Sequence, residues 1–158
     1  MPNEIERKFL VDRALWIPHG SGVHLVQGYL SSHPERVVRV RIAGDAGKLT
    51  VKGLTTGITR VELEYDVPLP DARLMLDTLC ERPLIDKHRH TETVAGRTWE
   101  IDIFHGDNEG LVLAEIELES ETDFFEVPAW AGPEVSSDAR YYNANLLKAP
   151  FQSWGKSS

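Results

Sequence analysis

The chain has 158 residues, of which 41% are hydrophobic and 27% are charged, and its formal net charge is −8. This composition is ordinary for a soluble globular protein, and the length allows one domain with a sizeable core. A net negative charge argues against non-specific binding to nucleic acid or to a membrane surface, because both need a basic surface. We therefore expect one domain over residues 1–158, with a less ordered tail at 151–158.

Cysteine usage and the N-terminus indicate a cellular location. Cys80 is the single cysteine, so no internal disulfide is possible, as is typical of a reducing compartment. The N-terminus lacks the basic segment and apolar run of a signal peptide. No apolar stretch is long enough to span a bilayer. These features predict a cytoplasmic protein.

Alternation of polar and apolar residues is the main pattern in the first half of the chain. Five strands and one helix are predicted there, and Gly28 is predicted to mark a bulge. The strands are EIERKFLV (4–11), HLVQGYLS (24–31), RVVRVRIA (36–43), KLTVKG (48–53) and TRVELEYDV (59–67). The helix is DARLMLDTLCE (71–81), with Asp71 as its predicted N-cap.

The second half of the chain continues the same pattern and predicts the overall fold class. Three more strands are LIDKHRHTETV (84–94), TWEIDIFH (98–105) and LVLAEIELES (111–120), and a helix over 136–149 ends before Pro150. Eight strands in sequential hairpins and two helices predict an α+β fold. The expected sheet is antiparallel and closed, or nearly closed, into a barrel, because closure removes exposed edges.

Charged residues occupy one face of nearly every predicted strand. In EIERK, Glu4, Glu6 and Lys8 share a face because successive side chains of a strand point to opposite sides. The other strands repeat the pattern with Arg39 and Arg41, with Lys52, with Arg60, Glu62 and Glu64, with Lys87 and Arg89, with Glu100 and Asp102, and with Glu115, Glu117 and Glu119. Seven of these side chains are basic and nine are acidic, which gives a net charge of −2.

The orientation of these charged faces decides what the barrel can do. For any one strand, a charged face in water is the ordinary interpretation. The whole set favours charges that line the lumen, because like charges cluster on single strands and would be destabilising unless they were neutralised. Carboxylates select Mg²⁺ or Mn²⁺, and lysine and arginine bind phosphate oxygens. Such a lumen predicts metal-assisted phosphoryl chemistry, and two divalent cations would bring its charge from −2 to +2.

These residues resemble the motifs of the CYTH superfamily, the triphosphate tunnel metalloenzymes. The family signature E-x-E-x-K stands at Glu4, Glu6 and Lys8. QGYL, RVR, LTVKG, R-x-E-x-E, K-x-R, WEID and E-x-E-x-E follow in order, so the resemblance runs from residue 3 to about residue 150. The short length and the ending RYYNANLLKAP are most similar to short bacterial tripolyphosphatases. The resemblance implies a tunnel of eight antiparallel strands that binds triphosphates with Mg²⁺ or Mn²⁺.

The resemblance also implies roles for individual residues. The implied phosphate-binding residues are Lys8, Arg39, Arg41, Lys52, Arg60, Lys87 and Arg89. The implied metal ligands, direct or through water, are Glu4, Glu6, Glu62, Glu64, Asp102, Glu115, Glu117 and Glu119. The implied catalytic residues are Glu4, Lys8, Glu115 and Glu117, of which the three carboxylates would hold the metal that activates the attacking water.

Several alternatives stay open at this point. Within the family, these are a class IV adenylate cyclase or a phosphatase for thiamine triphosphate or nucleotides, although the sequence identifies no base-binding residues. From another class, a non-catalytic module could bind polyphosphate or a nucleotide, but the intact acidic strands argue against it. A structural β-domain without a ligand is the remaining alternative. A homodimer and a monomer are both compatible with the sequence.

Overall fold

The structure is a computed structural model that describes residues 3–154. Nine strands lie in this part of the chain: β1 (Asn3–Val11), β2 (Val23–His33), β3 (Arg36–Ala43), β4 (Ala46–Lys52), β5 (Thr59–Val67), β6 (Ile85–Val94), β7 (Arg97–Phe104), β8 (Val112–Glu117) and β9 (Ala131–Glu134). The α-helices are α1 (Leu69–Thr78) and α2 (Asn143–Leu146), and 3₁₀ turns occur at Gly106–Asn108, Ala139–Tyr141 and Phe151–Ser153.

Strands β1 to β8 form a closed antiparallel barrel, which confirms the predicted fold class. Around the wall the order is β1, β5, β4, β3, β2, β6, β7 and β8, and β8 pairs with β1 again. The prediction of sequential hairpins throughout is wrong at two places. β1 pairs with β5 and β8, and β2 pairs with β6, because the connections over 12–22 and through α1 carry the chain across the barrel.

One edge of β1 is shared between two partner strands. Its first residues, Asn3 to Ile5, pair with β5, and its last residues, Phe9 and Val11, pair with β9. The prediction did not include β9, because its sequence AGPE contains Gly and Pro and has no apolar alternation. The short β9 therefore covers the part of the β1 edge that β5 does not reach.

Helix α1 begins two residues earlier than predicted. Its N-cap is Pro68, so Asp71 lies in the first turn and does not cap the helix. Pro70 lies in the first turn, where proline is tolerated because the first helical amides have no intrahelical acceptor. Ala72 and Leu76 are buried on the barrel wall against Val40.

The prediction of one helix over residues 136–149 is wrong. The segment contains a 3₁₀ turn at Ala139–Tyr141, an extended Tyr142 and the four-residue helix α2. Tertiary contacts override the helical pattern here, because Tyr141 and Leu146 are buried in the same apolar cluster. After Pro150, Trp154 packs edge-on against Tyr141, and residues 155–158 of the predicted tail lie outside the described part of the chain.

The residues that alternate with the lumen-facing charges point away from the lumen, and on most strands they are covered from outside, whereas on β5 they are exposed. Helix α1 covers β3 and β4, while loop residues such as Trp16, Phe125 and Trp130 cover Trp99. The expectation that two helices cover these faces is therefore too simple. Over residues 3–154, the longest helices fall short of what a membrane crossing needs.

Gly28 permits a close approach between β2 and the segment after α1. A Cβ atom at this position would lie 2.7 Å from Leu84 Cδ2 and 2.9 Å from Cys80 Sγ. The shift in strand register occurs slightly later, between Tyr29 and Ser31, so the bulge predicted at Gly28 is displaced. Cys80 is half-buried in this contact, and the burial raises the pKa of its thiol.

Candidate active site

The charged faces of the strands converge on a cavity of about 490 Å³ inside the barrel. Its basic lining residues are Lys8, Arg39, Arg41, Lys52, Arg60, Lys87 and Arg89, which is every cation that the sequence suggested for phosphate binding. Its acidic lining residues are Glu4, Glu6, Glu62, Glu64, Glu100, Glu115 and Glu117. Closure of the barrel brings these groups together from seven different strands.

Two of the suggested metal ligands do not line this cavity. Glu119 is exposed and lies beyond the end of β8, which stops at Glu117. Asp102 is 1% exposed and lies behind Lys87 and Arg89. The alternation of β7 and β8 predicts which face each residue occupies. It does not predict where a strand ends, or which carboxylates are enclosed by neighbouring lysine and arginine side chains.

A second cavity of about 390 Å³ adjoins the first. Arg41, Glu64 and Arg89 line both cavities. The first cavity extends to Pro34 in the β2–β3 turn, whereas the second extends to Val23 at the opposite end of β2. The two cavities therefore share three charged residues, and together they extend from one end of β2 to the other.

Carboxylates from β1 and β5 meet around one lysine. Lys52 Nζ lies 3.1 Å from Glu4 Oε1 and 3.3 Å from Glu62 Oε2. Burial and a hydrogen bond with Glu62 raise the pKa of Glu4 to about 7. Burial, followed by the charges of Glu115 and Glu4, raises the pKa of Glu6 well above its usual range. This part of the lumen therefore holds more negative charge than its lysine neutralises.

Lys8 and Glu115 form a cross-strand ion pair in the middle of the site. They lie opposite each other on β1 and β8, and Lys8 Nζ is 3.4 Å from Glu115 Oε1. Burial favours the neutral carboxyl, but the charge of Lys8 outweighs it and lowers the pKa of Glu115 to about 2. Lys8 Nζ also lies 5.4 Å from the centre of the Tyr142 ring.

Asp102 joins two of the cations at the more basic part of the lumen. Its Oδ2 lies 2.8 Å from Lys87 Nζ, and its Oδ1 accepts a hydrogen bond of 2.8 Å from Arg89 Nε. Burial favours the neutral carboxyl of Asp102, but the charges of Lys87 and Arg89 have the larger effect and hold its pKa well below its usual range. Burial, helped by the charges of Arg39 and Arg89, lowers the pKa of Arg41 to about 9.

Several polar groups in the site were not among the suggested site residues. Thr50 is buried and donates to Glu64 Oε2 at 3.0 Å. Gln27 is buried and bonds to Arg41, while Asn143 accepts from Lys87. The alternation of β2 and β4 could have indicated Gln27 and Thr50, which share faces with Tyr29 and Lys52. No local pattern could have indicated Asn143, because its position depends on how the C-terminal segment packs.

The carboxylates near β1 fit a hard divalent cation. Glu4 and Glu62 both lie within 3.3 Å of Lys52 Nζ, and the pKa of Glu4 is raised, so a cation would relieve the repulsion between the two carboxylates. Within residues 3–154, no three His, Cys, Asp or Glu side chains are arranged to hold a metal ion. Mg²⁺ usually takes one or two carboxylates together with waters and substrate phosphates.

Comparison with curated proteins reveals two close relatives. The chain is 47% identical to an inorganic triphosphatase of Acetivibrio thermocellus over 154 residues, which is 98% of this chain and 99% of that protein. It is 35% identical to an inorganic triphosphatase of Nitrosomonas europaea over 149 residues, which is 90% of this chain and 95% of that protein. Both alignments therefore cover nearly complete proteins.

Solved structures and family models agree with these relatives. A crystal structure of an inorganic triphosphatase is 32% identical, covers 91% of this chain and 93% of its own, and has a TM-score of 0.65. A structure from Bacillus halodurans with a TM-score of 0.60 is 16% identical and shows the fold alone. The family model described as the CYTH domain matches residues 2–147. This chain is therefore a member of the CYTH family.

Proposed function

We propose that this protein hydrolyses inorganic tripolyphosphate to pyrophosphate and phosphate with Mg²⁺ or Mn²⁺. The observation that carries the proposal is the lumen, in which seven cations and seven carboxylates converge on one cavity. Both curated relatives are named inorganic triphosphatases, and each aligns over at least 90% of this chain. Ionic groups of both signs suit a substrate that is a polyanion bound together with a divalent cation.

The cations of the lumen bind and orient the substrate. Lys8, Arg39, Arg41, Lys52, Arg60, Lys87 and Arg89 are the proposed phosphate-binding residues. An arginine can engage two phosphate oxygens at once, whereas a lysine acts as a compact point charge. Because these groups are fixed before substrate arrives, they can stabilise the charge that develops on the leaving pyrophosphate without reorganising.

The carboxylates of the lumen are the proposed metal ligands. Glu4, Glu6, Glu62, Glu64, Glu115 and Glu117 would hold the cation directly or through water. A bound Mg²⁺ or Mn²⁺ neutralises charge on phosphate oxygens and acidifies a water molecule. Glu4, Glu115 and Glu117 would hold the cation that activates the attacking water, and Lys8, which also lines the cavity, neutralises Glu115. Because water is the nucleophile, we expect no covalent intermediate.

A phosphate-release assay on tripolyphosphate tests this proposal. We expect release with Mg²⁺ or Mn²⁺ and none with EDTA. Glu117→Gln should reduce kcat/KM by about 100-fold or more, as expected when a group that acts in the transition state is lost. The exposed Glu126→Gln is the matched control, since it removes the same charge outside the cavity lining. Release that persists in EDTA would refute the metal-dependent mechanism.

A panel of substrates separates the alternative functions. ATP, thiamine triphosphate and tripolyphosphate are compared, with product analysis for cyclic AMP. We expect tripolyphosphate to have the highest kcat/KM, because seven of the residues that line the cavity are cations that can bind phosphate. Cyclic AMP formed from ATP would identify an adenylate cyclase. Tight binding of tripolyphosphate without turnover would identify a non-catalytic binding module.

A cytoplasmic location, without nucleic-acid or membrane partners, is also part of this proposal. The net charge of −8 and the single cysteine support it. Assembly into a homodimer stays a prediction, and light scattering after gel filtration would test it. The outer face of β5, where Val61, Leu63 and Tyr65 are exposed, is the surface on which a second copy could bury apolar area.

A further inference from the structure

Two neutral amide side chains contact two cations of the lumen. Asn143 Oδ1 accepts a hydrogen bond of 2.8 Å from Lys87 Nζ. Gln27 Oε1 accepts a hydrogen bond of 2.8 Å from Arg41 Nε. The amides also contact each other, because Gln27 Nε2 donates to Asn143 Oδ1 at 3.1 Å. We call Gln27 and Asn143 together the amide clamp.

We propose that the amide clamp positions Arg41 and Lys87 for the phosphates of the substrate while leaving their positive charge uncancelled. This inference rests on the proposed function, because it concerns how the same lumen binds a polyphosphate. Gln27 and Asn143 act through the two cations, so they are positioning residues and not catalytic residues.

The surroundings of Lys87 show why its position is well defined. Its side chain is 1% exposed, and its Nζ lies 2.8 Å from Asp102 Oδ2 and 2.8 Å from Asn143 Oδ1. The Phe104 ring lies 5.2 Å away on another side. Two acceptors and one aromatic face therefore hold an ammonium group that would otherwise have several rotamers available.

Gln27 is equally constrained. It is fully buried, and its amide nitrogen donates to both Tyr29 Oη, at 3.0 Å, and Asn143 Oδ1. This fixes which way the amide points, so that its oxygen faces Arg41 Nε. The other edge of the Arg41 guanidinium is then free of Gln27 and can face the cavity, which Arg41 lines.

The neutrality of the clamp matters because this region must attract an anion. Burial lowers the pKa of Arg41 and of Lys87, and neighbouring cations add to the effect at both residues. Both oxygens of Asp102 are already occupied by Lys87 and Arg89. An amide oxygen accepts a hydrogen bond without a formal negative charge. A carboxylate in its place would compete with phosphate for the same cations.

The clamp also fixes the C-terminal segment to the tunnel. Gln27 lies in β2, and Asn143 lies 116 positions later, at the start of α2. The preceding residue, Tyr142, has its ring over Lys8. The C-terminal segment thus contributes directly to the surroundings of two proposed phosphate-binding lysines.

Three variants and one control test the clamp: Asn143→Asp, Asn143→Ala, Gln27→Glu and the exposed Gln152→Glu. The measurements are KM and kcat for tripolyphosphate with Mg²⁺, the Kd of tripolyphosphate in EDTA by calorimetry, and the melting temperature. For the two acidic variants we expect KM and Kd to rise about tenfold or more, which corresponds to about 1.4 kcal/mol, with kcat changed less than about threefold. Asn143→Ala should have a smaller effect, and Gln152→Glu should match the wild type.

The outcomes distinguish the clamp from a structural role and from the proposed function. A purely structural role would lower the melting temperature but leave KM and Kd within about twofold of wild type, and that result would overturn the inference. If one acidic variant does not fold, the other acidic variant and Asn143→Ala still decide the matter. A wild type that binds tripolyphosphate but releases no phosphate refutes only the proposed function, since the Kd ratios still test the clamp. A wild type that neither binds nor hydrolyses tripolyphosphate overturns both.

Discussion

Lys8 Nζ lies 3.4 Å from Glu115 Oε1, and the two residues face each other across the β1–β8 ladder inside the barrel. Arg7, the neighbour of Lys8, points to the other side of the wall and pairs with Glu134. Adjacent residues of one strand thus belong to the lumen and to the outer surface, which provides a matched pair of variants.

We expect Lys8→Ala to lower kcat/KM for tripolyphosphate by about 100-fold or more, because the loss leaves Glu115 unpaired and removes a charge that faces the substrate. Arg7→Ala deletes an equal charge outside the cavity lining and should keep wild-type kinetics. Steady-state phosphate release measures both variants. Equal activity of the two variants would mean that the site lies elsewhere.

The raised pKa of Glu4 predicts that stability depends on pH when metal is absent. Because this pKa is about 7 in the folded protein and 4.5 ordinarily, the folded state binds more protons than the unfolded state between these values. Stability from this group is therefore present below pH 4.5 and is lost as the pH rises through 7. In EDTA, the wild type should lose about 5 °C of melting temperature relative to Glu4→Gln between pH 5 and pH 7. Parallel melting curves for the two proteins over this range would contradict the prediction.

Divalent cations should restore much of the stability that is lost when Glu4 ionises. A ligand at about 100 times its Kd adds about 2.7 kcal/mol of stability, so saturating Mg²⁺ or Mn²⁺ at pH 8 should raise the melting temperature by several degrees. Scanning calorimetry with and without metal measures the shift. A melting temperature unaffected by either metal, even with pyrophosphate present, would count against a cation site in the lumen.

Variants of Asp102 and Glu6 should differ in how much Mn²⁺ raises their melting temperatures, because Asp102 is enclosed by Lys87 and Arg89. We expect Asp102→Asn to keep the rise in melting temperature that Mn²⁺ causes, but to lose about 100-fold in kcat/KM because two cations lose their shared carboxylate. Glu6→Gln should lose most of the Mn²⁺ effect. If Asp102→Asn also abolishes the Mn²⁺ effect, Asp102 is a metal ligand after all.

Gly28 should tolerate no side chain. Gly28→Ala places a Cβ 2.7 Å from Leu84 Cδ2, and we expect it to destabilise the protein by about 1–3 kcal/mol in urea denaturation. At Gly53 the nearest atom to an added Cβ is 3.6 Å away, so Gly53→Ala is the control and should be close to neutral. Leu84→Ala should restore part of the stability of Gly28→Ala by making room. A Gly28→Ala protein as stable as wild type would show that β2 and the segment after α1 can move apart.

Local periodicity predicted most of the strands and most of the charged residues that line the cavity. The alternation in EIERK and RVRI indicated that Glu4, Glu6 and Lys8 share a face, and that Arg39 and Arg41 do too, because side chains of a strand alternate with a period of two. The same rule could have identified Gln27 and Thr50 as residues that share a face with the lumen-facing side chains. It could not show that Glu119 lies outside the cavity lining, because alternation does not show where β8 ends.

Periodicity alone does not decide which face of a strand points inward, although the clustering of like charges favoured an inward charged face. Pairing of β1 with both β5 and β8 closes the sheet, and α1 and the loops cover apolar residues on the outside of the barrel. The position of Asn143 against Lys87 likewise depends on contacts far apart in the chain, where buried side chains overrode a local helical pattern. The amino-acid order thus determined which charges share a face, and the long-range packing decided which of them meet.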